Sequence, residues 1–101
     1  MTLLLLGLTA FALQAQTAIP NGGFEDGTVE ETPVRWFVPK MLQDAGYRAV
    51  TTDQGCRTGT KCALVTGVPN PPPQTFGNIM QNVPAEGYTL RKVRLTAAVR
   101  V

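Results

Sequence analysis

The chain has 101 residues, of which 44% are hydrophobic, and its formal net charge at pH 7 is +2. This length allows one small domain, and the apolar fraction is typical of a globular rather than a disordered protein. The small net charge argues against nucleic acid or a charged membrane surface as the partner. The sequence has no histidine, which excludes Ser-His-Asp and Cys-His catalytic groups and histidine-based zinc sites.

The N-terminus predicts a secretory signal peptide over residues 1–15, with cleavage after Ala15 and Ala18 as the second choice. An apolar stretch covers residues 3–13, and small and polar residues follow it. The stretch is shorter than the roughly 20 residues that a membrane-spanning helix needs. No Lys or Arg precedes it, and a buried core helix is the alternative. We therefore expect a secreted, periplasmic or cell-envelope protein whose mature form has no membrane span.

Residues 16–101 predict a single all-β module. Short runs of strand-forming residues alternate with Gly, Pro and Asp turn signals, and one helical turn fits within residues 38–46. This spacing favours a sandwich or a barrel. The expected strands cover residues 19–24, 34–38, 47–52, 62–66, 78–83 and 93–101.

Two cysteines, Cys56 and Cys62, predict a disulfide, because an oxidising compartment closes such pairs. Gly59 lies midway and suits a tight turn that brings the thiols together across a hairpin. The closed loop is short, so the chain-entropy argument gives a stabilisation of about 2 kcal/mol. A redox or metal role would need closer spacing or further ligands.

The last expected strand has the clearest pattern, because apolar and other side chains alternate with a period of two. Its basic residues fit a solvated face better than an anion site. The sequence ends inside this strand, from which we expect an incomplete sandwich that lacks its C-terminal strands. If the chain is complete, pairing with a second copy would protect the open edge. The apolar face consists of Val93, Leu95, Ala97, Val99 and Val101.

Several motifs resemble galactose-binding-like jelly rolls, including many carbohydrate-binding modules. The likeness starts with NGGFEDG at residues 21–27 and PVRW at 33–36, and continues through residues 59–64, 79–81 and 88–101. It implies a truncated jelly-roll β-sandwich that follows the signal-peptide helix. WFVP at residues 36–39, the cysteine pair and FGNIMQ at 76–81 also look like the leaders of secreted bacterial enzymes, namely erythromycin-esterase-like hydrolases and processing-type serine peptidases.

The resemblance implies a non-catalytic accessory module that binds a polysaccharide or glycan and is attached to a downstream enzyme domain. The alternative is a structural spacer packed on that hydrolase, which this sequence does not include. An enzyme in this segment is not expected, because the acidic residues are scattered through turns with no motif to pair them across a cleft.

Sugar binding requires aromatic rings and polar groups, and three residues are the candidates: Tyr47, Phe76 and Gln81. Tyr47 and Phe76 lie at strand or loop edges, and Gln81 matches a sugar-contacting position of some similar modules. A buried amide with satisfied hydrogen bonds explains Gln81 equally well. Phe24 and Trp36 fit core packing better than ligand contact.

A structural calcium ion is the one cofactor that the resemblance implies. Similar modules hold it with a carboxylate near the first strand and another near the last strand, and Glu25 is the candidate ligand here. Calcium takes six to eight oxygen ligands. A solvated turn carboxylate is the simpler alternative for Glu25.

Overall fold

A computed structural model describes residues 19–101, and the predicted signal peptide lies outside them. Helix α1 covers Lys40–Asp44, strand β1 Arg48–Thr52 and strand β2 Cys62–Thr66, and a 3-10 turn covers Ala85–Tyr88. Two antiparallel strands and little helix are consistent with the expected sheet-rich fold. Among residues 19–101, no helix is long and apolar enough to cross a membrane.

Strands β1 and β2 form an antiparallel hairpin with Val50 opposite Leu64 and Thr52 opposite Cys62. Both strands lie where the sequence predicts them, because each is a run of β-branched and apolar residues bounded by turn residues. On its other edge β1 meets a parallel bridge from Val29 to Thr51. Thus β1 is the central strand, and three of its five residues are buried.

Two other expected strands, at residues 34–38 and 78–83, contribute one bridge rather than full strands. Phe37 and Met80 exchange backbone hydrogen bonds of 2.9 and 2.7 Å. Pro33 and Pro39 flank the first segment, and proline lacks the N–H that a longer ladder needs. Residues 19–24 form turns instead of a strand, with positive φ angles at Asn21 and Phe24.

Helix α1 lies within the span where the sequence predicts a helical turn. It begins after Pro39, whose φ of −54° is already close to a helical value. Its apolar side faces the sheet through Leu42, which joins the buried cluster. On the outer side Lys40 pairs with Asp44 at 2.9 Å, an exposed contact that adds little stability. The buried cluster is Val38, Leu42, Tyr47 and Ala49, with Ala45 and Ile79 packed against it.

The disulfide between Cys56 and Cys62 is confirmed, with 5.6 Å between the two Cα atoms. It lies within the loop that joins the strands rather than across the hairpin, because Cys62 begins β2 and Thr52 is its partner in β1. Gly59 has a φ of +71° in this loop, a conformation that glycine adopts without the strain of a Cβ.

The C-terminal segment, residues 91–101, forms neither helix nor strand, and the Arg91 N–H bond to the carbonyl of Tyr88 at 3.2 Å is its one backbone hydrogen bond within residues 19–101. The expectation of a strand at residues 93–101 is therefore not met in this structure. An alternating pattern describes which side of a strand would be buried, but a strand forms only against a neighbour. The apolar side chains are accordingly exposed, from 65% at Val93 to complete exposure at Val101.

Candidate functional site

A cleft of about 810 Å³ opens beside β1 and α1. Two aromatic residues, Phe37 and Tyr47, line it together with a larger group of polar residues. The lining offers aromatic ring surface beside hydrogen-bond donors and acceptors that a small polar ligand could contact. The polar lining residues are Glu30, Glu31, Thr32, Gln43 and Arg48.

Backbone pairing fixes the two acidic residues at the edge of β1. The N–H of Glu30 donates to the carbonyl of Thr51, and the N–H of Thr51 donates to the carbonyl of Glu31, both at 2.8 Å. Arg48 is the first residue of β1, and the Gln43 amide in α1 donates to the carbonyl of Val38 at 2.7 Å. Backbone or side-chain hydrogen bonds, or a place in β1, therefore fix the position of these four polar residues of the cleft.

The two aromatic residues of the cleft differ in exposure. Phe37 is 38% exposed, and its paired hydrogen bonds with Met80 hold its backbone in place. Tyr47 is only 8% exposed, and its ring occupies the space that a Cβ at Gly67 or Gly77 would need. Its hydroxyl contacts the Thr75 hydroxyl at 3.1 Å. The structure gives Tyr47 a packing role, and its predicted contact with a sugar stays a prediction.

The other two predicted ligand residues lie apart from the cleft. Phe76 is 68% exposed but is not among the lining residues. The Gln81 amide donates to the carbonyl of Pro20 at 2.8 Å, which ties together segments 61 residues apart. Its Oε1 is buried without a partner among residues 19–101. Of the three predicted ligand residues, the structure therefore brings only Tyr47 to the cleft.

The Glu25 carboxylate is held by the disulfide loop. It accepts hydrogen bonds from the Thr60 hydroxyl at 2.8 Å and from the backbone N–H groups of Thr60 and Lys61 at 3.2 Å. These bonds, the Thr60 hydroxyl first, together with the positive charge of Lys61, lower the pKa of Glu25 below its ordinary value. The Lys61 ammonium donates to the carbonyl of Gly27 at 2.8 Å.

These donors compete with a metal ion for the two oxygens of Glu25. In residues 19–101, no three His, Cys, Asp or Glu side chains form a group that could hold a metal ion. Calcium would need six to eight oxygens, and the Glu25 carboxylate could supply at most two of them. A structural calcium at Glu25 stays a prediction from the resemblance.

The NGGFEDG turn and Trp36 form one packed unit. The Asn21 amide donates to the carbonyls of Asp26 and Val34 at 3.1 and 2.8 Å, and its oxygen accepts the N–H of Asp26 at 2.9 Å. The Trp36 indole donates to the carbonyl of Asn21 at 2.9 Å, and its ring lies 4.9 Å from that of Phe24. Phe24 and Trp36 therefore pack on each other, but both are half-buried and lie outside the buried cluster, so the predicted core position is not observed.

Sequence reasoning did not select Phe37, Gln43 or Arg48 as site residues. The sequence does indicate Phe37, because the run around Trp36 is short and flanked by prolines, and an apolar residue in such a run can stay partly exposed. Gln43 and Arg48 carry no such signal, since they line one cleft with Glu30 and Glu31 only because residues 29–31 pair with β1.

Comparison of the chain with protein-family models, with curated proteins and with solved structures gives no match. The likeness to galactose-binding-like modules therefore depends on the short motifs themselves.

Proposed function

We propose that the chain is a non-catalytic, glycan-binding accessory module of a secreted or periplasmic bacterial protein. The observation that supports this most is the cleft, where the half-exposed ring of Phe37 lies among five polar residues. The motif likeness supports the same class and adds a jelly-roll sandwich as the fold. The catalytic part, an esterase or peptidase domain, would belong to the same parent protein, and the module would raise the local concentration of its substrate.

The chemistry of the cleft suits a pyranose ring. The apolar face of the sugar would stack on Phe37, while its hydroxyls would donate to the carboxylates of Glu30 and Glu31. The Arg48 guanidinium would donate to ring or hydroxyl oxygens. The Gln43 Nε2 already donates to Val38, so its Oε1 would serve as an acceptor. The volume of about 810 Å³ lies within the roughly 300–1,000 Å³ range of ligand pockets.

The jelly-roll fold has partial support from the strand arrangement. Strand β1 has neighbours on both edges, and the Phe37–Met80 bridge adds an antiparallel pair outside the hairpin. Such pairs are expected where further strands continue the two sheets of a sandwich.

A matched pair of variants of the whole chain, prepared with its disulfide formed, tests glycan binding. Phe37→Ala removes the ring in the cleft, and Phe76→Ala removes the more exposed ring outside it. In pull-downs against insoluble polysaccharides, we expect Phe37→Ala to weaken binding about tenfold, which corresponds to about 1.4 kcal/mol. Phe76→Ala should bind as the unmodified chain does. The far-ultraviolet circular dichroism of both variants should match that of the unmodified chain.

If Phe76→Ala weakened polysaccharide binding and Phe37→Ala did not, the binding site would lie at Phe76 and the assignment to the cleft would be wrong. Failure of the unmodified chain to bind any polysaccharide would reject the glycan proposal as a whole.

The second candidate is a spacer that packs against its enzyme and binds no ligand. It is favoured by apolar residues left on the surface, namely Leu64 and Val65 of β2 and those of the C-terminal segment. A spacer would show no loss of function in either phenylalanine variant, whereas a charged residue at Leu64 would disrupt its packing on the enzyme. Activity of the parent protein with Leu64→Asp separates the two candidates.

A further inference from the structure

The disulfide loop, residues 56–62, is joined at two points to the N-terminal turn, residues 21–27. The Glu25 carboxylate accepts the N–H groups of Thr60 and Lys61, and the Lys61 ammonium reaches the carbonyl of Gly27. The partners are 34 to 36 residues apart in sequence, so these contacts belong to the tertiary structure rather than to a local turn. We call this set of contacts the Glu25 clasp.

The N-terminal turn in turn holds Trp36. The carbonyl of Asn21 accepts the indole N–H, the Asn21 amide bonds the carbonyl of Val34, and Phe24 packs against the indole ring. Glu25 follows Phe24 directly in the chain. A change at the Glu25 clasp is therefore transmitted to the tryptophan over a single residue.

The Glu25 clasp depends on the shape of the disulfide loop. Two successive N–H groups, of Thr60 and Lys61, have to converge on one carboxylate. Gly59 allows the close approach, because a Cβ there would overlap the Glu25 carboxylate. The covalent link between Cys56 and Cys62 limits the conformations of residues 57–61 to a ring of short span. Once the link is cut, ordering this exposed loop costs conformational entropy.

We propose that the Cys56–Cys62 disulfide is a redox-operated latch that holds the N-terminal turn against Trp36. Both cysteines are partly exposed, so a dithiol can reach them. One thiolate of the reductant attacks a sulfur of the bond, and its second thiol resolves the mixed disulfide. Two electrons and two protons pass to Cys56 and Cys62, and the reductant leaves as its own disulfide. The freed loop releases Glu25, and residues 21–27 move away from the indole.

Trp36 reports on the latch, because it is the one tryptophan of the sequence. Acrylamide quenching of its fluorescence measures how open the N-terminal turn is. For the whole chain, we expect the quenching constant to rise about twofold when dithiothreitol reduces the disulfide. In Glu25→Gln the constant should already be high in the oxidised state and should change little on reduction.

Glu86→Gln is the matched control, since it removes the charge of another exposed carboxylate, in the 3-10 turn. This variant should repeat the twofold step of the unmodified chain. Hydrogen exchange at Val50 and Leu64, which face each other in the hairpin, should stay slow in the reduced state.

Three results would overturn the latch. One is a quenching constant that reduction leaves unchanged, and another is a full reduction step in Glu25→Gln. The third is loss of hairpin protection together with the Trp36 change, because the disulfide would then support the whole fold rather than the turn. Glu25→Gln keeps the disulfide. Its quenching constant therefore tests the latch even if a Cys56→Ser, Cys62→Ser double variant, which lacks the disulfide, does not fold.

Discussion

The N-terminal turn, residues 21–27, with the Trp36 that it holds, differs from the C-terminal segment, residues 91–101, in how the backbone groups are bonded. In the turn, one Asn21 side chain bonds three backbone groups, and the Trp36 indole bonds a fourth. The C-terminal segment has the better strand pattern but no strand partner within residues 19–101. Its Arg100 guanidinium lies against Gly55, while the apolar side chains stay exposed.

The difference between the two segments shows which sequence patterns form structure without a distant partner strand. The Asn21 amide bonds backbone groups that are 5 and 13 residues away, so its structure depends on one short stretch of chain. Alternation has no such local partner, because its stabilisation comes from cross-strand pairs. Substitutions should therefore cost much in the part of the chain around the turn and β1, and little in the C-terminal segment.

The largest effect on stability is expected at Tyr47, the aromatic residue of the buried cluster. Tyr47→Ala removes a buried ring that fits against Gly67 and Gly77, and should lower the free energy of unfolding by about 3–5 kcal/mol. Tyr47→Phe keeps the ring and loses the contact with Thr75, which should cost about 1 kcal/mol. Urea denaturation measures both. Equal losses would show that the hydroxyl, rather than the ring, holds these segments together.

The next effect tests the turn itself. Asn21→Ala leaves the carbonyl of Val34 and both backbone groups of Asp26 without their amide partner, at a cost of about 2 kcal/mol. Asn82→Ala, at an exposed position, is the control and should change stability by less than about 0.5 kcal/mol. Thermal denaturation followed by Trp36 fluorescence is the measurement. Similar melting temperatures for the two variants would contradict the role assigned to the turn.

A smaller effect of opposite sign is expected at Thr51. This residue is fully buried, and its hydroxyl has no hydrogen-bond partner among residues 19–101. Thr51→Val removes the unsatisfied group at similar volume and should raise the unfolding free energy by about 1 kcal/mol. Thr52→Val is the contrast, since the Thr52 hydroxyl accepts the N–H of Gln54 at 3.1 Å and its loss should destabilise. Calorimetry measures the unfolding free energy of both variants. If Thr51→Val were the less stable of the two, the Thr51 hydroxyl would have a hydrogen-bond partner.

The smallest effect is expected in the C-terminal segment. Val99 is 85% exposed, so Val99→Asp should change the unfolding free energy by less than about 0.5 kcal/mol. A charge on an apolar strand face that is buried in solution would cost far more. Chemical denaturation at two protein concentrations checks this. A large, concentration-dependent loss would show that the segment pairs with another copy.

The parts that the sequence predicts well are those with a local cause. The bounds of β2, the helical turn after Pro39 and the disulfide follow from short runs of residues. The cleft does not, because Glu31 and Arg48 line the same cleft only through the parallel pairing of residues 29–31 with β1. Likewise, no spacing rule indicates that Glu25 contacts the Cys56–Cys62 loop.

The hydrogen bonds to Glu25 also make the N-terminal turn resistant to acid. A carboxylate whose pKa is lowered on folding stabilises the folded state fully above its ordinary value of 4.5 and loses that contribution as the pH falls through the lowered pKa. Acidic conditions above pH 4.5 should therefore leave the turn closed. In an acid titration of Trp36 quenching, the oxidised chain should open only below pH 4.5, whereas Glu25→Gln should show no such step. An exported protein with this feature would keep its tryptophan covered in acidified surroundings and uncover it in reducing ones.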